Sequence, residues 1–336
     1  YSGDGITFPD NSVQATAPRV GMVNRIINGD MRVSQRNGGA SVTINTAANT
    51  YTLDRWVARG TESAGVYTAQ QISNAPDSFI NSFEVVVTTA APSPSSTHQY
   101  TVNQRVEGFN ISDFSWGTAS AKTVTVSFWV YSSLTGTFSG VIKSGIGAPS
   151  YPFTYTTSSA NTWEYKTVTI PGATTGTWPT DNSSALYVGF DLGSGSNFLD
   201  TAGSWYESNN NGATGSVSVM ATLSAVWRVT GVQLEKGSTA TDFEYVDYSR
   251  QLIQCQRYYQ TFRAGNTIFT SGAQTWRWQD QFLCTMRSSP TVTVTNITGT
   301  GTTINQVTDT SAERQVTTSG AGSFVYRVDL NISAEL

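Results

Sequence analysis

The stretch KTVTVSFWVYSS, Lys122–Ser133, alternates between two kinds of side chain with a period of two. One set of positions is apolar, and it consists of Val124, Val126, Phe128 and Val130. The intervening set consists of Thr123, Thr125, Ser127 and Trp129. Because a β-strand directs successive side chains to opposite faces of its sheet, this pattern predicts a strand with one face in a core.

Similar segments recur before and after this strand, and each is bounded by Gly, Asn or Ser. They are TWEYKTVTIPG (162–172, with one slip in register), ALYVGFDLGSG (185–195) and GSVSVMATLSAVWRVTGVQLE (215–235). No segment between Asn24 and Tyr245 has ten residues of 3.6 periodicity, so no confident helix is predicted there. Many strands without intervening helices predict an all-β fold built on an antiparallel jelly-roll sandwich.

The alternation stops near Tyr248, where YSRQLIQCQRYYQTF (248–262) places Leu252, Cys255 and Tyr259 at helical spacing. This spacing predicts a short amphipathic helix, after which the strand pattern resumes. We therefore divide the chain into an N-terminal stem or linker (1–20), a sandwich (21–246), a helical connector (247–264) and a small C-terminal β domain (265–336).

The composition excludes several classes of function. Charged residues form 12% of the 336 residues, and the formal net charge is −4. Clustered Lys and Arg are absent, so we expect no nucleic-acid partner. No apolar run approaches the roughly 18 residues of a membrane span, so we expect a soluble protein without membrane insertion. Two cysteines and one histidine are too few for a disulfide framework or a zinc site.

Several short motifs follow one another in a definite order along the chain. They include GDGITFPDNSVQATA (3–17), NRIINGDMRVSQR (24–36), YTLDRWVA (51–58), QRVEG (104–108), KTVTVSFWV (122–130), TWEYKTVTIPG (162–172), VTGVQLEKGSTATDFEY (229–245) and CQRYY (255–259). In this order they resemble the carbohydrate-binding-module-like sandwich found in tail fibres and other virion proteins of tailed bacteriophages. The closing MRSSPTVTV and SAEL resemble the small β domain that follows such sandwiches.

The resemblance implies glycan binding, which uses flat aromatic faces against sugar C–H groups and polar side chains for hydroxyls. Candidate aromatic residues in predicted loops are Trp116, Trp178, Trp205 and Tyr206. Polar candidates in the same loop as Tyr206 are Glu207, Asn209 and Asn210. Each tryptophan has a structural alternative as a loop anchor packed on the rim of the sandwich, and the resemblance favours that alternative at Trp178 and Trp205.

Catalysis is not predicted. A glycan-cleaving enzyme needs two carboxylates about 5–10 Å apart, and no spacing in this sequence singles out such a pair. A depolymerase built on a β-helix would show repeats of fixed period, which this chain lacks. The single histidine, His98, lies in a polar loop and is interpreted as solvated. We therefore expect no enzyme and no catalytic residue.

A structural calcium ion is an alternative that the resemblance implies, because related sandwiches often hold one. Asn28, Asp30 and Glu235 could supply oxygen ligands to it. The acidic residue typical of the family before the last strand is replaced here by TGVQ (230–233). Apart from this calcium alternative, we expect no cofactor and no metal.

The resulting hypothesis is a virion fibre protein, most simply a tail fibre, that attaches to host polysaccharide or lipopolysaccharide without cleaving it. Its stem would contact other virion proteins, and the chain would form a homotrimer. The helix face of Leu252, Cys255 and Tyr259 would bundle around the three-fold axis. The alternatives are a head or tail decoration protein that contacts only virion subunits, and a glycan depolymerase.

Overall fold

The computed structural model describes residues 6–7, 13–14, 21–61, 64–298 and 301–336. In the N-terminal segment, β1 (Ile6–Thr7) pairs with β2 (Val13–Gln14) in antiparallel fashion. The rest of the predicted stem lies outside the described residues.

Two six-stranded sheets form the main body of the protein. Their strands are β3 (Val42–Ile44), β4 (Thr50–Leu53), β5 (Trp56–Arg59), β6 (Val66–Ile72), β7 (Ser82–Thr89), β8 (Thr101–Glu107), β9 (Val124–Ser132), β10 (Gly136–Ser144), β11 (Ser150–Thr157), β12 (Thr162–Ile170), β13 (Ser184–Asp191) and β16 (Val226–Lys236). Sheet I has the order β12-β9-β16-β7-β6-β3, and sheet II has the order β11-β10-β13-β8-β5-β4. A short parallel pair, β14 (Leu199–Asp200) and β15 (Gly212–Ala213), lies in the loop before β16.

The apolar positions of each strand meet between the two sheets. On β9 the predicted inward set is fully buried, and the ring of Phe128 contacts Phe190 of sheet II with 4.9 Å between centroids. Trp56 and Trp227 are also fully buried in this core. Burial of large aromatic side chains contributes about 1.5–3 kcal/mol each relative to exposure, which makes this core the main source of stability. The predicted all-β jelly-roll sandwich is confirmed.

Strand β16 contains a bulge that the sequence alternation does not reveal. Its pairing with β9 shifts register between Thr230 and Gln233. Gly231 has a φ of +61°, a left-handed conformation that glycine adopts without steric cost. The extra residue brings Val229, Val232 and Leu234 all into the core, whereas strict alternation predicts opposite faces for Val229 and Val232.

The predicted helix is present as α1 (Tyr248–Gln256). Asp247 caps it by accepting a hydrogen bond from the Ser249 N–H at 2.9 Å. Cys255 is buried in a cluster with Ile27 and Val33, against which Leu252 also packs. This helix face therefore makes contacts within one protomer, and its part in a three-fold bundle stays a prediction.

The C-terminal region is a second, smaller arrangement of two sheets. Its strands are β17 (Tyr259–Ser271), β18 (Thr275–Gln281), β19 (Thr291–Thr298), β20 (Thr302–Val307), β21 (Ser311–Thr317) and β22 (Ala321–Ser333). They form three-stranded sheets in the orders β17-β22-β19 and β18-β21-β20. Strand β17 begins at Tyr259, inside the segment predicted as a helical connector. Tyr259 is thus a strand residue, and its hydroxyl donates to Asn331 Oδ1 at 3.0 Å.

The C-terminal segment is tied to the sandwich by buried ion pairs. Arg55 on the sandwich is buried and paired with Glu335, and Arg36 pairs with the same carboxylate at 3.0 Å. Arg287 donates to the backbone oxygens of Asn182 at 2.7 Å and Ala334 at 2.8 Å. No helix in the described part of the chain is long and apolar enough to cross a membrane.

Candidate functional site

A groove of about 810 Å³ crosses the outer face of sheet I. Its floor comes from β9, β12 and β16, and its walls come from residues 77–79, residues 238–243 and Tyr245. The outward positions of Lys122–Ser133 supply Thr125, Ser127 and Trp129 to this floor. The groove lies within the size range of ligand sites, about 300–1,000 Å³.

Four aromatic side chains, here called the aromatic quartet, lie side by side along β9 and β12. Trp129 is the register partner of Tyr165, and their ring centroids are 5.4 Å apart. Tyr131 is the register partner of Trp163, with a centroid distance of 5.7 Å. Tyr165 is 44% exposed. Cross-strand pairing therefore brings together rings that are 36 or 32 residues apart in sequence, on the face opposite the core.

A second aromatic group forms one wall of the groove. Phe79 lies 5.2 Å from Phe243 and 5.6 Å from Tyr245, measured between ring centroids. The Tyr245 hydroxyl donates to the backbone oxygen of Ser78 at 2.8 Å, which joins the two wall segments. A tyrosine phenol is protonated at neutral pH and can donate there, and partial burial raises the pKa of Tyr245 further.

The β16 bulge determines the depth of the groove. A Cβ atom on Gly231 would lie 2.7 Å from Phe79 Cζ and 3.2 Å from Trp129 Cδ1. The absence of a side chain therefore lets the wall ring and the floor ring approach each other across the bulge. A larger residue at position 231 would fill this part of the groove and strain the backbone.

The charge around the groove is weakly negative. Asp77 and Asp242 line it, and none of the described lining residues is Lys, Arg or His. Arg228 lies beyond, with its guanidinium carbon 4.4 Å from the Tyr131 ring centroid, and it is paired with Glu84 at 2.6 Å. The groove thus combines aromatic faces with hydroxyl and carboxylate acceptors, which suits an uncharged polyhydroxylated ligand and disfavours an anion.

The structure brings three predicted tryptophans together, but as a packed cluster. The rings of Trp116 and Trp178 are 4.6 Å apart, and Trp205 lies 5.5 Å from Trp116. Trp116 and Trp178 are only 6% and 8% exposed. Their indole N–H groups donate to the backbone oxygens of Lys122 and Thr175. This burial agrees with the alternative in which the tryptophans anchor loops. It does not support the predicted sugar contact at these rings, which stays a prediction.

The remaining predicted residues follow Trp205 in the same loop but do not form one surface. Tyr206 makes a backbone bridge to Ser150, and the Glu207 carboxylate accepts from Thr175 at 3.0 Å. Asn209 and Asn210 turn toward sheet II, where both accept hydrogen bonds from Lys143. None of the contacts of these residues given above is with a residue of the groove. Glycan contact through them stays a prediction.

The proposed calcium ligands do not fit a metal site. Asn28 Oδ1 accepts from the Val33 N–H at 2.9 Å, and Asp30 accepts from Arg32 and Gln251. The Glu235 carboxylate accepts from Gln233 and Thr241. Because protein donors already occupy these oxygens, we assign calcium no role. Elsewhere in the described residues, no group of three or more His, Cys, Asp and Glu is arranged to hold a metal ion.

The aromatic quartet was not predicted as a site, although one signal for it is present. Trp129 occupies the polar set of an alternating strand, where a large aromatic ring is exceptional. TWEYKTVTIPG likewise contains Trp163 and Tyr165 in one alternation. The sequence does not show that the two strands are neighbours, which is what places the four rings together.

Comparison with known proteins gives no family by sequence. No family model and no curated protein matches the chain. Among solved structures, a domain of tailspike protein 4 from bacteriophage CBA120 is similar, with 10% identity, a TM-score of 0.33 and 64% of this chain covered. The match spans only 22% of that tailspike chain.

Two further similar structures are covered over all or nearly all of their chains. One is a putative sugar-binding protein from Bacteroides thetaiotaomicron, with 12% identity, a TM-score of 0.36, and coverage of 64% of this chain and 100% of that one. The other is TmCBM61, solved with β-1,4-galactotriose, with 8% identity, a TM-score of 0.31, and coverage of 64% and 99% respectively. Likenesses this distant do not assign a ligand.

Proposed function

We propose that this protein binds a glycan in the groove on sheet I and does not cleave it. The observation that carries the proposal is the side-by-side arrangement of Trp129 and Tyr165 on the outer face of the sheet, with Tyr131 and Trp163 beside them. Sugar rings present flat C–H surfaces that pack on such platforms. A row of rings along two strands matches a linear chain of sugars better than it matches a single compact ligand.

The polar groups of the groove support an uncharged or weakly charged sugar. Threonine and serine hydroxyls on the floor, together with Asp77 and Asp242 on the walls, can form hydrogen bonds with sugar hydroxyls. Because no cation is among the described lining residues, an acidic sugar would gain nothing here. Selectivity would come from hydroxyl orientation and ring stacking.

In its biological setting, this binding would serve attachment of a phage fibre to host polysaccharide or lipopolysaccharide. The ordered motifs that resemble virion fibre sandwiches support this role. A trimer would present three grooves together, and multivalency raises avidity by about 10²–10⁴ without new contacts. Other virion proteins would be held through the N-terminal segment.

A decoration protein is the second candidate, and one feature of the C-terminal sheets favours it. Phe269 is 75% exposed, Leu283 is 61% exposed, and Ile297 and Val325 are also exposed. Exposed apolar side chains of this size in one small region are typical of a subunit contact. Contacts between copies in a fibre would use the same residues, so the exposed apolar side chains do not distinguish the two functions. The glycan-binding test below does.

The experiment is co-elution of purified protein with host surface polysaccharide on size-exclusion chromatography, with detection of both components. We expect co-elution and an unchanged polymer length. The Trp129→Ala/Tyr165→Ala variant should elute apart from the polymer, and Phe109→Ala, which removes an exposed ring outside both the groove and the C-terminal sheets, should co-elute as the parent does. Independent elution of the parent protein would favour the decoration function, and polymer shortening would favour a depolymerase.

A further inference from the structure

Three cationic side chains converge on the outer face of sheet II, the face opposite the groove. Lys143 on β10 is the register partner of Tyr187 on β13, and Tyr187 is the register partner of Arg105 on β8. Arg59 on β5 lines the same cavity, whose volume is about 120 Å³. No Asp or Glu is among its described lining residues. We call this cavity the cationic pocket.

The floor of the cationic pocket is the ring of Tyr187. A Cβ atom on Gly189 would lie 2.4 Å from Tyr187 Cε1, so the missing side chain at Gly189 lets the ring lie along its own strand. The Lys143 ammonium is 4.3 Å from the ring centroid. It donates to Asn209 Oδ1 at 2.8 Å, Asn210 O at 2.9 Å and Asn211 Oδ1 at 2.7 Å. These bonds hold the asparagine loop over the pocket.

The two guanidinium groups, in contrast, lack partners. The Nε atoms of Arg59 and Arg105 are buried without a hydrogen-bond acceptor, and neither side chain makes an ion pair with a described residue. Arg55 and Arg314 also keep one buried nitrogen without an acceptor, but each forms an ion pair, Arg55 with Glu335 and Arg314 with Asp280. Arg59 and Arg105 are half-buried, and both line one cavity without a described carboxylate partner, which points to an acceptor that comes from outside the chain.

The electrostatics of the pocket agree with this geometry. Burial, followed by the nearby Arg105 and Arg59 charges, lowers the pKa of Lys143 to about 7, and Asp191 opposes that shift. Asp191 is itself buried and accepts from the Ser194 N–H at 3.0 Å. Two guanidinium charges and the partly protonated Lys143 thus face a single buried carboxylate, and the pocket has a net positive potential that an anion would neutralise.

We infer that the cationic pocket binds a compact oxyanion, the carboxylate or phosphate group of a small molecule or saccharide. Its volume corresponds to about four water molecules at ~30 Å³ each, enough for the anionic group while the rest of the ligand stays outside. The guanidinium forks of Arg59 and Arg105 match the oxygens of either group. This site lies on the other sheet from the groove and does not depend on the proposed glycan binding.

The test measures thermal unfolding and isothermal titration of the whole chain with sodium phosphate and sodium glucuronate. Sodium chloride at equal ionic strength and neutral glucose are the controls. We expect at least one anion, at about 10 mM, to raise the melting temperature above the chloride control, because a ligand that binds only the folded state stabilises it. Stronger binding of phosphate would identify a phosphate site, and stronger binding of glucuronate a carboxylate site.

Variants locate the site. Arg105→Gln and Arg59→Gln should each weaken binding of the preferred anion by about tenfold, as expected for loss of a charge-assisted contact. Arg277→Gln, which changes an exposed arginine paired with Glu313 at 3.5 Å, should bind as the parent does. If one variant fails to fold, the other and the parent titration still decide. No anion effect above chloride, or equal loss in Arg277→Gln, would overturn the inference.

Discussion

The two outer faces of the sandwich are built alike and differ in chemistry. Sheet I presents the aromatic quartet and a groove with carboxylates and no described cation, whereas sheet II presents Lys143, Arg105 and Arg59 around a small pocket. Both use the outward positions of strands whose inward positions share one core. Because alternation separates the two sets of side chains, each face can acquire a ligand preference without changing the core. The following predictions test whether the faces are independent.

The largest expected effect is on the sandwich itself. Glu335→Gln removes the charge that pairs with buried Arg55 and with Arg36. Loss of one partner of a buried ion pair costs about 3 kcal/mol, which we expect in the free energy of unfolding measured by denaturant titration. At denaturant concentrations well below the unfolding transition, Glu335→Gln should bind the glycan and the anion with the same affinities as the parent protein. A selective loss at one face would show that this face depends directly on the C-terminal segment.

Next is the groove. Trp129→Ala should weaken glycan binding by about 30-fold, the effect of losing a central aromatic contact worth ~2 kcal/mol, as measured by titration with an oligosaccharide. Phosphate and glucuronate binding should not change. Trp163→Ala, at the far end of the quartet, should show a smaller loss. Parallel loss of anion binding in Trp129→Ala would contradict the independence of the two faces.

The reciprocal change concerns the cationic pocket. Arg105→Gln should lower affinity for the preferred anion by about tenfold and leave oligosaccharide affinity within about twofold of the parent. Both values come from the same titrations on one preparation. If glycan binding falls by the same factor as anion binding, the two ligands share a site and the comparison fails.

The smallest effect is a pH dependence of one face only. As the pH rises from 6 to 8, Lys143 in the empty pocket loses its proton, because burial and the charges of Arg105 and Arg59 place its pKa near 7. Glucuronate, whose own charge is constant in this range, should bind about fivefold more weakly at pH 8. Tyr187 stays neutral, since burial raises its pKa to about 12. The affinity of the groove for glycan should change less over this pH range. A higher affinity for glucuronate at pH 8 than at pH 6 would contradict the role of Lys143.

The sequence predicted the fold from local pattern alone. Lys122–Ser133 alternates as a strand with a buried face does, and its apolar set is buried as expected. The helix was predicted because Leu252 and Cys255 recur at helical spacing. The bulge at Gly231 and the start of β17 at Tyr259 escaped prediction because they depend on pairing with β9 and β22, which are distant in sequence.

Neither the aromatic quartet nor the cationic pocket can be predicted from local sequence pattern, and the reason is the same for both. Trp129 and Tyr165 belong to different strands, and so do Lys143 and Arg105, so their proximity is a property of strand order. Within QRVEG (104–108), Glu107 is the acidic residue nearest to Arg105 in sequence, yet it pairs with Arg257 instead. Loop position suggested exposure for Trp116 and Trp178, yet both loops fold back onto the rim of the sandwich.

The most direct measurement of the central claim follows the indole N–H resonances of the nine tryptophans during titration with an oligosaccharide from the host polysaccharide. The groove predicts that the Trp129 and Trp163 signals, assigned with single Trp→Phe variants, shift in a saturable way. The signals of buried Trp116 and Trp178 should stay in place. Shifts confined to Trp116, Trp178 and Trp205 would contradict the account and return the glycan site to the loops.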